Sequence, residues 1–243
     1  MARTPHAGTA PPPAAFTGFA PALFDVLEGI EANQTRDWFL EHRQAYEQDV
    51  RAPLAAFVES LGIAFAAHDI PLSGSAERSL FRPNRDVRFS KDKRPYKTNA
   101  AAVLTRDGTK AGNGVFYISL GGHGLVVERG GMMGAGFYAP EPADLATLRA
   151  AMAEHPDRWL SVEADLAAAG LAPSREGALS RLPKGFEAQA GSPVAEALKL
   201  RSLHVWRDVP VEALYSPGLI DAAVAFATAA LPLLAFGWRA MAR

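Results

Sequence analysis

The run AAAVLTRDGTKAGNGVFYISLGGHGLVVER, residues 100–129, decides the fold class. Its apolar stretches, 100–106, 115–120 and 125–129, are short and β-rich, with Val103, Phe116, Tyr117 and Ile118 among their branched and aromatic members. Between them stand DGTKAGNG and GGHG, glycine-rich connections of eight and four residues. Parallel strands need a crossover of a dozen or more residues, so connections this short leave antiparallel pairing and argue against a doubly wound sheet.

Working outward, two further short strands are expected at 80–82 and 86–89, and upstream of those the period becomes helical. Phe19, Leu23, Leu27 and Ile30 recur at helical spacing, as do Phe39, Arg43, Tyr46 and Val50 after a polar break at 31–35. Pro53 suits the first turn of a third helix that runs through Leu54, Phe57, Val58 and Leu61 toward His68, with a loop at 69–76. Downstream, helices are expected at 144–154 and 158–169, a short helix at 194–199 and a strand at 202–207. Residues 222–238 carry no charge and approach the length of a membrane span, but Asp221 at their start, Pro232 within them and their many alanines favour a buried C-terminal helix pair. The resulting expectation is an α+β fold, a mainly antiparallel sheet covered by N-terminal and C-terminal helices, in one domain over 16–241. Residues 1–15, with prolines at 11–13, are expected to form a loose tail.

Composition narrows the function classes. With 243 residues, 49% hydrophobic and 21% charged, the chain has ordinary globular usage, which excludes wholesale disorder and fibrous repeats. The absence of cysteine excludes disulfides, thiolate nucleophiles, zinc fingers and cysteine-ligated clusters. The first fifteen residues lack the apolar run of a secretory leader, so a cytoplasmic protein without membrane attachment is expected. A net charge of −1 supplies no global attraction to nucleic acid or anionic lipid, so such affinity must be local.

The charge is local indeed. Of 25 basic and 26 acidic residues, residues 78–97 hold eight and two, leaving 17 and 24 elsewhere. The cations are Arg78, Arg82, Arg85, Arg88, Lys91, Lys93, Arg94 and Lys97; the acids are Asp86 and Asp92. If 86–89 is a strand, Asp86 and Arg88 share one face, while Val87 and Phe89 on the other are planted in a core. Pro95 disfavours a helical Arg94, so a loop with Lys91, Lys93 and Lys97 folds beside the charged face. Three readings follow: an ion-pair network tied by Asp86 and Asp92, a pocket for a phosphorylated or carboxylated small molecule, or a nucleic-acid surface in which Phe89 and Tyr96 stack on bases. No RNP1, zinc-finger or helix-turn-helix pattern accompanies the last, which ranks below the others.

The same segment carries a resemblance. RPNRDVRFSKDKRPYKTN, residues 82–99, resembles the signature of the bacterial and fungal family known as domain of unknown function 2461. Asn33, Trp38, Phe39 and Tyr46 resemble its N-terminal helical motif, and Phe116 and Tyr117 its aromatic strand. Gly130, Gly131, Phe137, Tyr138 and Pro140 resemble its glycine-rich turn, and Leu182, Pro183, Lys184, Gly185 and Phe186 its late P-K-G loop. Pro83 stands where the family usually has a β-branched residue, and Arg94 where it commonly has a small polar one. The resemblance covers roughly residues 16–241 and supplies no substrate.

Other chemistry finds little support. Ser90 and Lys93 match S-x-x-K, but Pro95 opposes the helix that pairing needs and the companion motifs are absent. No G-x-S-x-G, Walker A or H-E-x-x-H occurs, and the glycines at 130–136 read as turn residues. The six histidines are scattered without ligand spacing, so no metal is expected and no cofactor is identified. The expected site is therefore an anion-binding set, Arg82, Arg85, Arg88, Lys91, Lys93 and Lys97, supported by Asp86, Asp92, Tyr96, Tyr117, Lys184 and His204. Its partner is an anionic small molecule, with catalysis left open. A non-catalytic protein or nucleic-acid interaction module on the same surface is the alternative.

Overall fold

A computed structural model describes residues 15–122 and 126–242. Helix α1 (Ala22–Ala32) leads into α2 (Arg36–Glu41), which starts where the Thr35 hydroxyl accepts a hydrogen bond from Trp38 N–H, and then into the long α3 (Arg43–Ala67). Strands β1 (Ala100–Thr105), β2 (Val115–Leu120) and β3 (Gly131–Phe137) follow, then α4 (Pro142–Glu154) and α5 (Pro156–Ala168). Strand β4 (Leu203–Val209), a short α6 (Val211–Leu214) and α7 (Leu219–Met241) complete the order. The four strands form one antiparallel sheet in the order β1-β2-β3-β4, with Val103 opposite Tyr117, Tyr117 opposite Gly134 and Gly134 opposite Trp206. The α+β architecture with helices covering an antiparallel sheet is what the short glycine-rich connections dictate.

Alternation puts Leu104, Phe116, Ile118, Met133, Ala135, Phe137, Leu203 and Val205 on one buried face, against which α3 and α7 pack. Phe116 sits at the junction, its ring 5.4 Å from that of Phe65 on α3 and 6.2 Å from that of Phe226 on α7. Close approach there has a cause in sequence: a Cβ on Gly237 of α7 would lie 2.2 Å from the Phe137 ring. α3 and α7 are long and apolar enough to cross a membrane by length and composition alone, and each buries residues in this core.

Several elements depart from the expectations. β3, GMMGAGF, lies where turn glycines were expected; Gly136, at φ +132°, brings the backbone so close to β4 that a Cβ would meet the Leu203 carbonyl oxygen at 2.3 Å. Residues 126–129 form no strand, and of 80–82 only Leu80 pairs, in an isolated bridge to Ala102. Residues 86–89 are irregular, and Phe89, expected in a core, is 94% exposed. Pro53 does stand in the first turn of the α-helical stretch Ala52–Ala67, but that stretch continues without a break from a π-helical stretch Tyr46–Arg51, whose wider turn relieves the clash between a proline ring and the preceding turn. The expected C-terminal pair is one helix through Pro232, where the missing N–H strands the carbonyl of Thr228, an exposed residue that water can reach. The short helix expected at 194–199 shrinks to a 3-10 turn, Ala197–Lys199. His6, His123, Leu125 and all of the expected tail but Ala15 lie outside the described residues.

Candidate anion-binding site

The basic segment folds as a loop closed at its base. Asn84 and Tyr96 bridge in antiparallel fashion, with Arg85 N–H donating to the Pro95 carbonyl and Lys97 N–H to the Pro83 carbonyl, both at 2.8 Å. Inside the loop the charges satisfy one another. Arg85 donates through Nη1 to Asp92 and to the Arg94 carbonyl, each at 2.9 Å; Arg94 Nε reaches Asp92 at 3.1 Å; Arg88 clamps Asp86 at 2.7 Å; and Lys93 Nζ donates to the Val87 carbonyl at 2.9 Å. The ion-pair reading thus describes Arg85, Arg88, Asp86 and Asp92, which hold the loop's shape. Phe89 projects into solvent with the Arg88 guanidinium 5.8 Å from its ring centre, and Lys91 is exposed.

Asp92 carries a testable consequence of this clamp. The N–H and guanidinium of Arg94, with Arg85 adding to them, pull its carboxyl down to about 2 from an ordinary 3.8. A carboxyl depressed on folding stabilises the folded form above its unfolded value, and that contribution is lost as pH falls from 3.8 toward about 2. An NMR titration of the Asp92 carboxyl carbon is expected to show the low midpoint, and Asp92→Asn to speed tryptic cleavage after Lys91 and Lys93 at neutral pH. An ordinary midpoint means that the clamp does not form in solution.

Beside the base of the loop lies a cavity of about 750 Å³. Arg82 and Lys97 face it, whereas Arg85, Arg88, Lys91 and Lys93 do not. The remaining cations are Arg36, Arg43 and Arg51 from α2 and α3 and Lys110 from the β1–β2 turn, giving six cations against two carboxylates, Glu47 and Glu77. Glu47 pairs with Arg51 at 3.6 Å; among the described residues Arg36, Arg43, Arg82, Lys97 and Lys110 have no acidic side chain within 4.0 Å. The buried wall is aromatic and apolar: Tyr46, Leu80 and Tyr96, with Phe39 stacked on Tyr96 at 4.4 Å. Phe81 is half-buried and lies under two ammonium groups, Lys97 at 5.0 Å and Lys110 at 5.8 Å from its ring centre. Burial pushes the Tyr46 hydroxyl up to about 12, Glu47 pushing the same way and Arg51 opposing.

A description of the family "Conserved hypothetical protein (DUF2461)" matches residues 22–236. The chain belongs to the DUF2461 family. Among curated proteins and among solved structures, none matches it. The match spans α1 through most of α7, so the cavity of this DUF2461 chain lies wholly within it.

The supporting residues named from sequence disperse. Tyr96 forms the cavity wall. Tyr117 stands behind it, its ring 6.3 Å from that of Phe81 and its hydroxyl pKa raised chiefly by burial. His204 lies on β4 against Tyr138, 5.3 Å between ring centres, with burial lowering its pKa against an opposing push from Glu176; Lys184 is on an exposed turn. Among the described residues no group of three or more His, Asp or Glu side chains is placed to share a metal ion. The helical cations of the DUF2461 cavity escaped the sequence reading, although a signal existed: Arg36, Arg43 and Arg51 are seven and eight residues apart, about two helical turns each.

Proposed function

We propose that this protein binds a phosphorylated or carboxylated small molecule in the cavity between α2, α3 and the base of the basic loop. The observation that carries this reading is five cations around a concave site, among them Arg82 and Lys97, that have no acidic side chain within 4.0 Å among the described residues, with an aromatic wall beneath. Like charges held this close repel, and an anion that bridges them removes the repulsion while accepting charge-assisted hydrogen bonds from arginine forks. The aromatic and apolar wall gives an organic body somewhere to lie. Arg85 and Arg88 serve this reading as the frame that holds the loop, Lys91 and Lys93 lie outside the cavity, and the protein is taken to act in the cytoplasm.

A second reading rests on the loop tip, where the exposed Phe89 flanked by Arg88 and Lys91 would suit a non-catalytic contact with protein or nucleic acid. Thermal melts separate the two. Phosphate is expected to raise the melting temperature with a saturating, logarithmic concentration dependence, beyond chloride at equal ionic strength. Equal shifts with both salts overturn the cavity reading. Tight RNA or DNA binding with a steep salt dependence, lost in a Lys91→Ala/Lys93→Ala double variant, establishes the second.

A further inference from the structure

Of the two lysines in the cavity, Lys110 is exposed and Lys97 is half-buried. The amine of Lys97 lies over the Phe81 ring, has no carboxylate within 4.0 Å among the described residues, and has Arg82 and Lys110 as close cationic neighbours. The groups that share its cavity come from every wall: Arg36, Arg43, Arg51, Glu47 and Tyr46 from the helices, Arg82 and Glu77 from the segment before β1, Lys110 from the β1–β2 turn. Glu47 is engaged by Arg51, so the surroundings of Lys97 are cationic on balance. Such an enclosure disfavours the ammonium ion relative to the free amine, the form that attacks carbonyl carbon.

We propose that Lys97 is a carbonyl nucleophile, forming an imine with an anionic aldehyde or ketone, an oxo acid or a phosphorylated carbonyl compound, held by the cations around it. This rests on the anion reading above and adds the chemistry. The Nζ lone pair forms the bond to the carbonyl carbon as the C=O π pair moves to oxygen, where Arg82 and Lys110 stabilise the growing charge. The oxygen takes up both amine protons and leaves as water, and the nitrogen's pair closes the C=N bond. Amine and carbonyl give imine and water, with no oxidant or reductant consumed. Burial first, then Arg82 and Lys110, lower the pKa of Lys97, in keeping with this geometry; the Phe81 ring opposes them, weakly for a single cation–π contact.

Reductive trapping tests it in the whole protein. Glyoxylate with cyanoborohydride carboxymethylates any lysine that forms an imine, acetaldehyde with cyanoborohydride ethylates it, and a peptide map resolves all six lysines. Lowering an amine's pKa raises its free-amine fraction near neutral pH, and the cavity's cations hold the glyoxylate carboxylate beside it, so glyoxylate should label Lys97 faster than Lys91, Lys93 or Lys184. Phosphate should slow that labelling, and acetaldehyde should show less preference. Lys110→Met, which removes a cation that helps to hold glyoxylate and to stabilise its oxygen, should slow the labelling of Lys97 near pH 7 while leaving that of Lys91, Lys93 and Lys184 unchanged. Labelling of Lys97 no faster than Lys93 and Lys184, in protein that phosphate does stabilise, overturns the nucleophile and leaves the anion site intact. Strong preference for Lys97 with both aldehydes, in protein that phosphate does not stabilise, supports the nucleophile and overturns the anion reading on which its substrate class rests.

Discussion

Alanine at Phe116 is expected to remove about 3–5 kcal/mol of stability, the range for deleting a large aromatic side chain from a packed core. The ring is fully buried on β2, wedged between Phe65 of α3 and Phe226 of α7, so its loss opens a cavity where α3, the sheet and the C-terminal helix meet. Two edge-on ring contacts vanish with it, each adding something beyond buried area. Urea melts measure the effect, and the matching control is Phe89→Ala. That ring has the same chemistry and is 94% exposed, so its removal should change stability by less than about 0.5 kcal/mol. A large loss for Phe89→Ala would mean that the loop tip packs against something in solution.

The second large effect concerns binding. Arg82→Glu combined with Lys110→Glu removes two cations from the cavity and adds two anions, leaving the buried wall untouched. Each charge-assisted hydrogen bond contributes about 1.5–3 kcal/mol, so losing two costs at least about 3 kcal/mol, a fall in phosphate affinity of about a hundredfold or more. Reversal adds repulsion to that loss, so the hundredfold figure is a lower bound. Lys91→Ala/Lys93→Ala, outside the cavity, should alter phosphate affinity less than about threefold, a change of well under 1 kcal/mol. Calorimetric titration at two salt concentrations gives both numbers. A double alanine variant that loses phosphate while the Arg82/Lys110 variant keeps it would move the site to the loop.

Local rules read from sequence determined a good part of this protein. Short glycine-rich connections forced antiparallel pairing of β1 with β2, and helical periodicity placed Leu23, Leu27 and Ile30 of α1 in the core. The matched signature in 82–99 identified the family. Sequence also located the charge, because composition is additive and needs no geometry. It misplaced Phe89, because alternation assigns faces only if a strand exists, and hydrogen bonds from Arg85, Arg88, Lys93 and Arg94 to partners within the loop stabilise an irregular conformation instead. It missed β3, because glycines chosen for close approach between strands look the same as glycines chosen for turns until the neighbouring strand is known. The cavity belongs to the tertiary structure alone. Arg36, Arg43 and Arg51 meet Arg82, Lys97 and Lys110 only when α2 and α3 pack beside the loop base, with Phe39 stacked on Tyr96 and the Gln34 side-chain oxygen accepting from Tyr96 N–H at 3.0 Å. A linear sequence records which residues are charged; which charges share a low-dielectric wall, and which are neutralised by a neighbour, is fixed by distances that only packing sets.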